Sequence, residues 1–285
     1  MIVDGARRRF LRCIGAIGAT GVVAVCGAPR IAVATPLSRL RERGALAVSL
    51  YNDMPPFHAA GAGVDVELAR ALAGALGVRL TLLPFNADDN MSDDLRNMVW
   101  RGHYLGYGPA DVLLHVPLDR PLIEHNPRVR FFAPYFRERV MIARRVERVR
   151  RLETLSQLAG QPVAVAGQSL AGWLMLGADG GAYRGQLDTQ HKHGAQAAQA
   201  LARGDVVAAA GLASELESVL RGDARFEISP LPSPRAPAGG WAVGMAVKRD
   251  AVELSEALAK TVVDMRSSGR LQQIFERANV SWQAA

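Results

Sequence analysis

The sequence predicts an α/β protein built as two lobes, and three observations predict it. Short apolar runs of strand type alternate with stretches of helical period along the chain. The alternation falls into two blocks, divided by a charged segment at 144–151 and by a proline- and glycine-rich segment at 230–240. Between 46 and 69 the chain reads as strand, polar elbow and helix, and in open α/β sheets ligands bind beyond the carboxyl ends of the strands.

In that stretch Leu46, Val48 and Leu50 share one strand face. Tyr51, Asn52, Asp53 and the Pro55–Pro56 pair end the strand, because proline gives no N–H to a ladder and fixes its own φ. Val66, Leu68, Leu72 and Leu76 then follow helical spacing up to Gly77. A second strand is predicted over 79–85. A polar loop follows, with an N-cap at Ser92 and a helix carrying Leu95, Met98 and Val99. The continuous apolar run 110–116 reads as a third strand covered on both faces. An aromatic, glycine-rich insert at 102–108 precedes it, and a long connection over 117–134 leads to a strand at 137–143. The second block predicts helices near 152–158, after Gly167–Gln168–Ser169, over 195–203 and over 213–221, with strands at 163–166 and 206–210. Glu215 and Glu217 fall in the last of these helices, on a face expected to be solvated. A strand at 241–248 and helices at 251–265 and 271–278 complete the chain.

With 285 residues, 49% of them hydrophobic, the chain is long enough for sizeable cores. The N-terminus is not expected to belong to the fold. Arg7–Arg8–Arg9 with Phe10 and Leu11, an apolar run over 14–25 and Ala32–Val33–Ala34 form the pattern of a twin-arginine export signal over residues 1–34. Its removal takes five arginines and one aspartate, and the net charge falls from +7 to +3. A nucleic-acid role then has no electrostatic basis. Cys13 and Cys26 leave as well, so no disulfide, thiolate metal site or cysteine nucleophile remains. The chain has no G-x-S-x-G, P-loop or G-x-G-x-x-G after a strand, and no cofactor is expected. His191 and His193 form an H-x-H pair, a weak metal signal without an acidic or cysteine partner.

Pro55–Pro56–Phe57 with Gly63–Val64–Asp65, Ala133–Pro134–Tyr135–Phe136, and Ser268–Gly269–Arg270–Leu271 with Ile274–Phe275 resemble bacterial extracellular solute-binding proteins of family 3. The resemblance spans roughly residues 40–282. It implies a two-lobed periplasmic binding protein-like fold of type II, with lobe one over 35–138 plus 245–285 and lobe two over 139–244. It implies capture of a small polar or anionic solute in the periplasm, amino-acid-like or an organic acid, for the permease of an ABC transporter. Arg120 matches the arginine that clamps a ligand carboxylate, Phe57 and Tyr51 match the aromatic wall, and Ser169 opens a lobe-two helix toward an anion. Asn52, Asp65, His115 and Gln168, at strand ends and turns, complete the expected ligand-binding set. The usual ammonium-binding aspartate is absent, since Ala210–Gly211 stand in its place.

A narrower similarity, in Leu95–Arg96–Asn97 and the ADVLLHVP strand, is to periplasmic accessory proteins of quinoprotein alcohol dehydrogenases. It implies a dehydrogenase partner with the 102–108 insert as docking loop. Some proteins of this shape are cyclohexadienyl-type dehydratases, for which Asp65 or Asp119 would serve as base.

Overall fold

A computed structural model describes residues 36–285; the expected export signal lies outside the described residues. After helix α1 (Pro36–Arg43), strand β1 (Ala45–Tyr51) is buried along nearly its whole length. Val64–Leu76 form α2, whose end is set by Gly77 in the left-handed conformation. Gly63 closes the elbow between them. Its φ is 133°, and a Cβ there would sit 2.2 Å from the Phe57 carbonyl oxygen, so only glycine fits. Strand β2 (Arg79–Phe85) pairs parallel to β1.

The next helix, α3 (Met91–Leu95), is capped by Asn90 and not by Ser92, because the Asn90 side chain takes the Asp93 N–H. It runs on as a π-helical turn over Arg96–Trp100. Strand β3 (Val112–Pro117) follows. The expected long connection after it is not a loop: it holds α4 (Arg120–His125) and most of β4 (Val129–Glu138). Phe131, Phe132 and the Ala133–Tyr135 stretch are strand residues, hidden in the sequence by Pro134 at an exposed position.

The chain then leaves the first sheet. Strand β5 (Val140–Arg145) starts two residues after Glu138, so the single strand expected at 137–143 is two strands broken at Arg139. It pairs between β8 (Ala208–Leu212) and β9 (Phe226–Pro230) in a second sheet that also holds β6 (Val163–Val165) and the short β7 (Leu187–Asp188). Helices α5 (Leu170–Gly177), α6 (Gly194–Arg203) and α7 (Ala213–Leu220) cover it. Strand β10 (Trp241–Lys248) returns to the first sheet between β3 and β4, and α8 (Val252–Ser267) and α9 (Arg270–Arg277) pack on that lobe. The first sheet has the order β2-β1-β3-β10-β4 and the second β7-β6-β8-β5-β9. The expected lobe boundary at 244/245 falls inside β10, which pairs with β4 from Trp241 onward.

Each sheet is apolar on both faces. In lobe one, Leu46, Val48, Val112 and Leu114 pack under α2, α8 and α9 with Phe57, Phe136 and Phe275, while Leu113 and Val116 face Leu95, Met98 and Val99. In lobe two, Ile142, Val163 and Val165 face Leu174 and Met175 of α5, and Ala143, Ala164 and Ala209 face the alanine-rich side of α6. Trp241 touches both lobes' cores at the second crossing. There Gly240, with φ 62°, runs so close to the first crossing that a Cβ would lie 1.9 Å from the Glu138 carbonyl oxygen.

Candidate functional site

The carboxyl ends of β1 and β3 in lobe one face the junction with lobe two. Two irregularities shape this edge. In β3, Leu114 and His115 stand opposite Met245 alone, because the ladder to β10 runs Gly244↔Val116 and then Ala246↔Leu113. His115 takes up the extra residue with φ 58°, an unusual backbone for a side chain with a Cβ. This bulge explains why Val116 faces the same way as Leu113 and why the imidazole leaves the strand's alternation.

His115 packs against Phe57, with ring centroids 4.0 Å apart and the ring planes tilted by 59°. Its backbone N–H donates to the Tyr135 hydroxyl (3.1 Å), which itself donates to Asp65 Oδ1 (2.9 Å). Asp65 is fully buried, and its Oδ2 lies 3.5 Å from His115 Nδ1; neither atom has a hydrogen-bond partner among the described residues. Burial, reinforced by Asp65, holds the Tyr135 hydroxyl well above its ordinary pKa, so it stays a donor.

At the first crossing Glu138 is fully buried. Its carboxyl group accepts from the Arg139 N–H (2.9 Å) and meets the Ser214 hydroxyl at 2.5 Å. Burial raises its pKa from 4.5 to about 7, against the lowering effect of these hydrogen bonds and of His115. Glu215, expected on a solvated face, is instead buried between α6 and α7. It accepts the N–H groups of Gly194 (2.8 Å) and Leu212 (2.9 Å), and burial raises its pKa too. His115 interacts electrostatically with both carboxyl groups, so the imidazole of lobe one stands within electrostatic reach of the hinge and of lobe two. Across the same junction, Asp53 of the elbow acts on His193 at the start of α6, whose pKa is lowered chiefly by burial.

Of the eight expected ligand residues, the structure brings Phe57, Asp65 and His115 together. Phe57 is 1% exposed, packed on Phe136 and Phe275, so it is core to lobe one and not an open wall. Tyr51 is buried nearby with its hydroxyl on Asp94 (2.9 Å), and Asn52 is exposed at the elbow beside Asn86. Ser169 caps α5, accepting from Gly172 N–H and donating to the Ala166 carbonyl; Gln168 beside it is exposed. Arg120 does not join them. Asp119 caps α4 and Pro121 starts it, which puts Arg120 in its first turn, 88% exposed and paired with Glu124 four residues on (2.7 Å). Asp119 is thereby a helix cap. The H-x-H pair serves a turn: His191 meets Asp188 at 3.1 Å, and His193 caps α6. Among the described residues no three potential metal ligands gather. Residues that sequence reading missed are Tyr135, Glu138 and Ser214, whose roles arise from partners 70 to 76 positions distant.

A groove of about 750 Å³ lies elsewhere, in lobe two, lined by Ser156, Leu174, Asp179 and Arg235 among others. None of the eight residues borders it.

No protein-family profile and no curated protein sequence matches the chain. Solved structures do. An ancestral cationic amino acid solute-binding protein matches with a TM-score of 0.66 at 19% identity, over 85% of this chain and 98% of its own. An amino acid ABC transporter substrate-binding protein of Streptococcus pneumoniae, bound to L-arginine, gives 0.60 at 18%, over 87% and 100%. The solute receptor for L-cysteine of Neisseria gonorrhoeae gives 0.57 at 20%, over 85% and 92%. The fold is that of the two-lobed solute-binding proteins. These neighbours lend nothing to a dehydrogenase partner. The 102–108 insert is nonetheless prominent: Tyr104 is 88% exposed, and His103 is stacked on Tyr107. No helix among the described residues is long and apolar enough to cross a membrane.

Proposed function

We propose that the protein is an extracytoplasmic receptor that captures a small polar solute between its lobes and presents it to the permease of an ABC transporter. The observation that carries this reading is the architecture: two separately cored sheets joined by two adjacent crossings, with Trp241 packed into both cores. Such a joint supports closure by hinge bending about a few residues, here around Arg139 and Gly240. Solved proteins of this fold carry names that state amino-acid binding, which supports a solute of comparable size. For the dehydratase alternative, Arg120 and Asp119 are engaged on the outside of α4, which leaves Asp65, buried beside His115, as its one candidate base.

Titration of the purified protein with amino acids, organic acids and amines tests the reading. Closure should change the emission of Trp241, and Trp173→Phe removes the signal of an indole that is 70% exposed. Saturable binding by fluorescence and calorimetry is the expected result. Silence across the whole panel in both methods would remove the receptor function.

A further inference from the structure

The Asp65–His115 pair beside the bulge of β3 points to a ligand class. The geometry points to Asp65 and His115 as the anchor for the ammonium group of a small organic cation, bound without a carboxylate clamp. This inference rests on the receptor reading above and narrows its solute.

Four observations carry it. First, His115 is placed by a bulge and a left-handed backbone, a local irregularity of the kind that re-aims a side chain at a functional edge. Second, Asp65 is wholly buried with one oxygen unpartnered, and that oxygen faces the equally unpartnered His115 Nδ1 at 3.5 Å. A carboxyl group facing Nδ1 favours the tautomer with the proton on that nitrogen, which leaves the other ring nitrogen as the acceptor. With Nδ1 buried against Asp65, the 11% of the side chain that reaches solvent lies toward the Nε2 edge. Third, Tyr135 ties the pair to β4, and Phe57 lies against the ring, so the acceptor is held in one orientation. Fourth, the surroundings are acidic. Glu138 and Glu215 interact with His115 from the hinge and from lobe two, Asp65 backs it, and among the described residues no Lys or Arg side chain pairs with any of these three carboxyl groups. The expected guanidinium, that of Arg120, is in solvent on Glu124. An ammonium can donate to Nε2 with the buried Asp65 carboxyl group behind the ring, whereas a ligand carboxylate finds no guanidinium there to meet it.

The probes are 1,4-diaminobutane, L-arginine and succinate, titrated calorimetrically into wild type, His115→Phe and Asp65→Asn. The diamine should bind wild type, and each substitution should weaken it at least ten-fold. A folding defect in Asp65→Asn is bypassed by ¹⁵N NMR of the wild-type imidazole, which reads the tautomer directly. At pH 7.5 His115 should carry its proton on Nδ1, and the Nε2 resonance should move on adding the diamine. Succinate binding without diamine binding overturns the inference and leaves the receptor reading standing. So does a diamine affinity unchanged by His115→Phe, or an imidazole proton found on Nε2 in place of Nδ1. Absence of binding by all three probes, together with silence across the wider panel, removes both.

Discussion

Glu138 shows what a single buried group imposes on the molecule. Its carboxyl has hydrogen-bond partners but no ion pair among the described residues, so removal from water dominates and its pKa rises from 4.5 to about 7. Between those two values the folded chain holds a proton that the unfolded chain has released. Folding stability therefore falls as pH rises through this window, by roughly 3 kcal/mol at about 1.4 kcal/mol per unit. Glu215 and Asp94, also raised by burial, act with the same sign. Glu138→Gln keeps the shape, can still accept from the Arg139 N–H and donate to Ser214, and cannot ionise. Chemical denaturation at pH 5, 6, 7 and 8 should show a shallower decline for the variant and a higher stability than wild type at pH 8. Parallel pH profiles of the two proteins would mean that Glu138 ionises freely in the fold.

At the scale of elements, Ser169 separates capping from ligand contact. Its hydroxyl is engaged twice within lobe two, toward Gly172 N–H and the Ala166 carbonyl, at the start of an eight-residue helix. Ser169→Ala should cost about 1 kcal/mol in urea unfolding, with solute affinity unchanged. Loss of affinity at constant stability would instead assign the hydroxyl to the solute. The helix start at Ser169 was legible in the sequence, though its hydroxyl reads there as a contact for an anion and not as the cap. Legible too were β1, α2, β2, α6 and the C-terminal helices, with strong periodicity and local stop signals such as Gly77 or Gly204. Strand β4 was not, since Pro134 interrupts its pattern and its pairing partner β10 lies about a hundred residues away. The break at Arg139 was equally silent, since the charged Arg137–Glu138–Arg139 read as the start of one strand and not as the joint between two. The site divides along the same line. Asp65 and His115 could be singled out from strand ends and helix starts, whereas Tyr135, Glu138 and the burial of Glu215 depend on contacts between distant segments. Arg120 misled because the residues around it, Asp119 and Pro121, are helix-start signals that place it on an outer turn.

The whole molecule has a third link between its lobes besides the two crossings. After α9, Asn279 adopts φ 59°, and its side-chain amide donates to the Glu217 (3.1 Å) and Arg221 (3.3 Å) carbonyl oxygens at the end of α7. Two residues on, the Ser281 N–H meets the Glu217 carboxylate at 2.5 Å. The same tail is fixed to lobe one, where Trp282 donates to the Tyr135 carbonyl and the Gln283 carbonyl accepts from the Arg137 N–H. A segment bonded to β4 on one side and to α7 on the other resists any hinge motion that separates them. Hydrogen bonds of this kind contribute about 1 kcal/mol each, so losing the two made by Asn279 should shift an open–closed equilibrium on the order of ten-fold or more. The combination Asn279→Ala with Glu217→Ala, spin-labelled at the exposed positions Arg70 and Arg203, should show a longer and broader interlobe distance than the labelled parent. Its solute affinity should fall in step, since opening competes with closure around the ligand. An unchanged distance distribution would mean that the strap follows α7 through the motion, leaving the hinge to Arg139 and Gly240 alone.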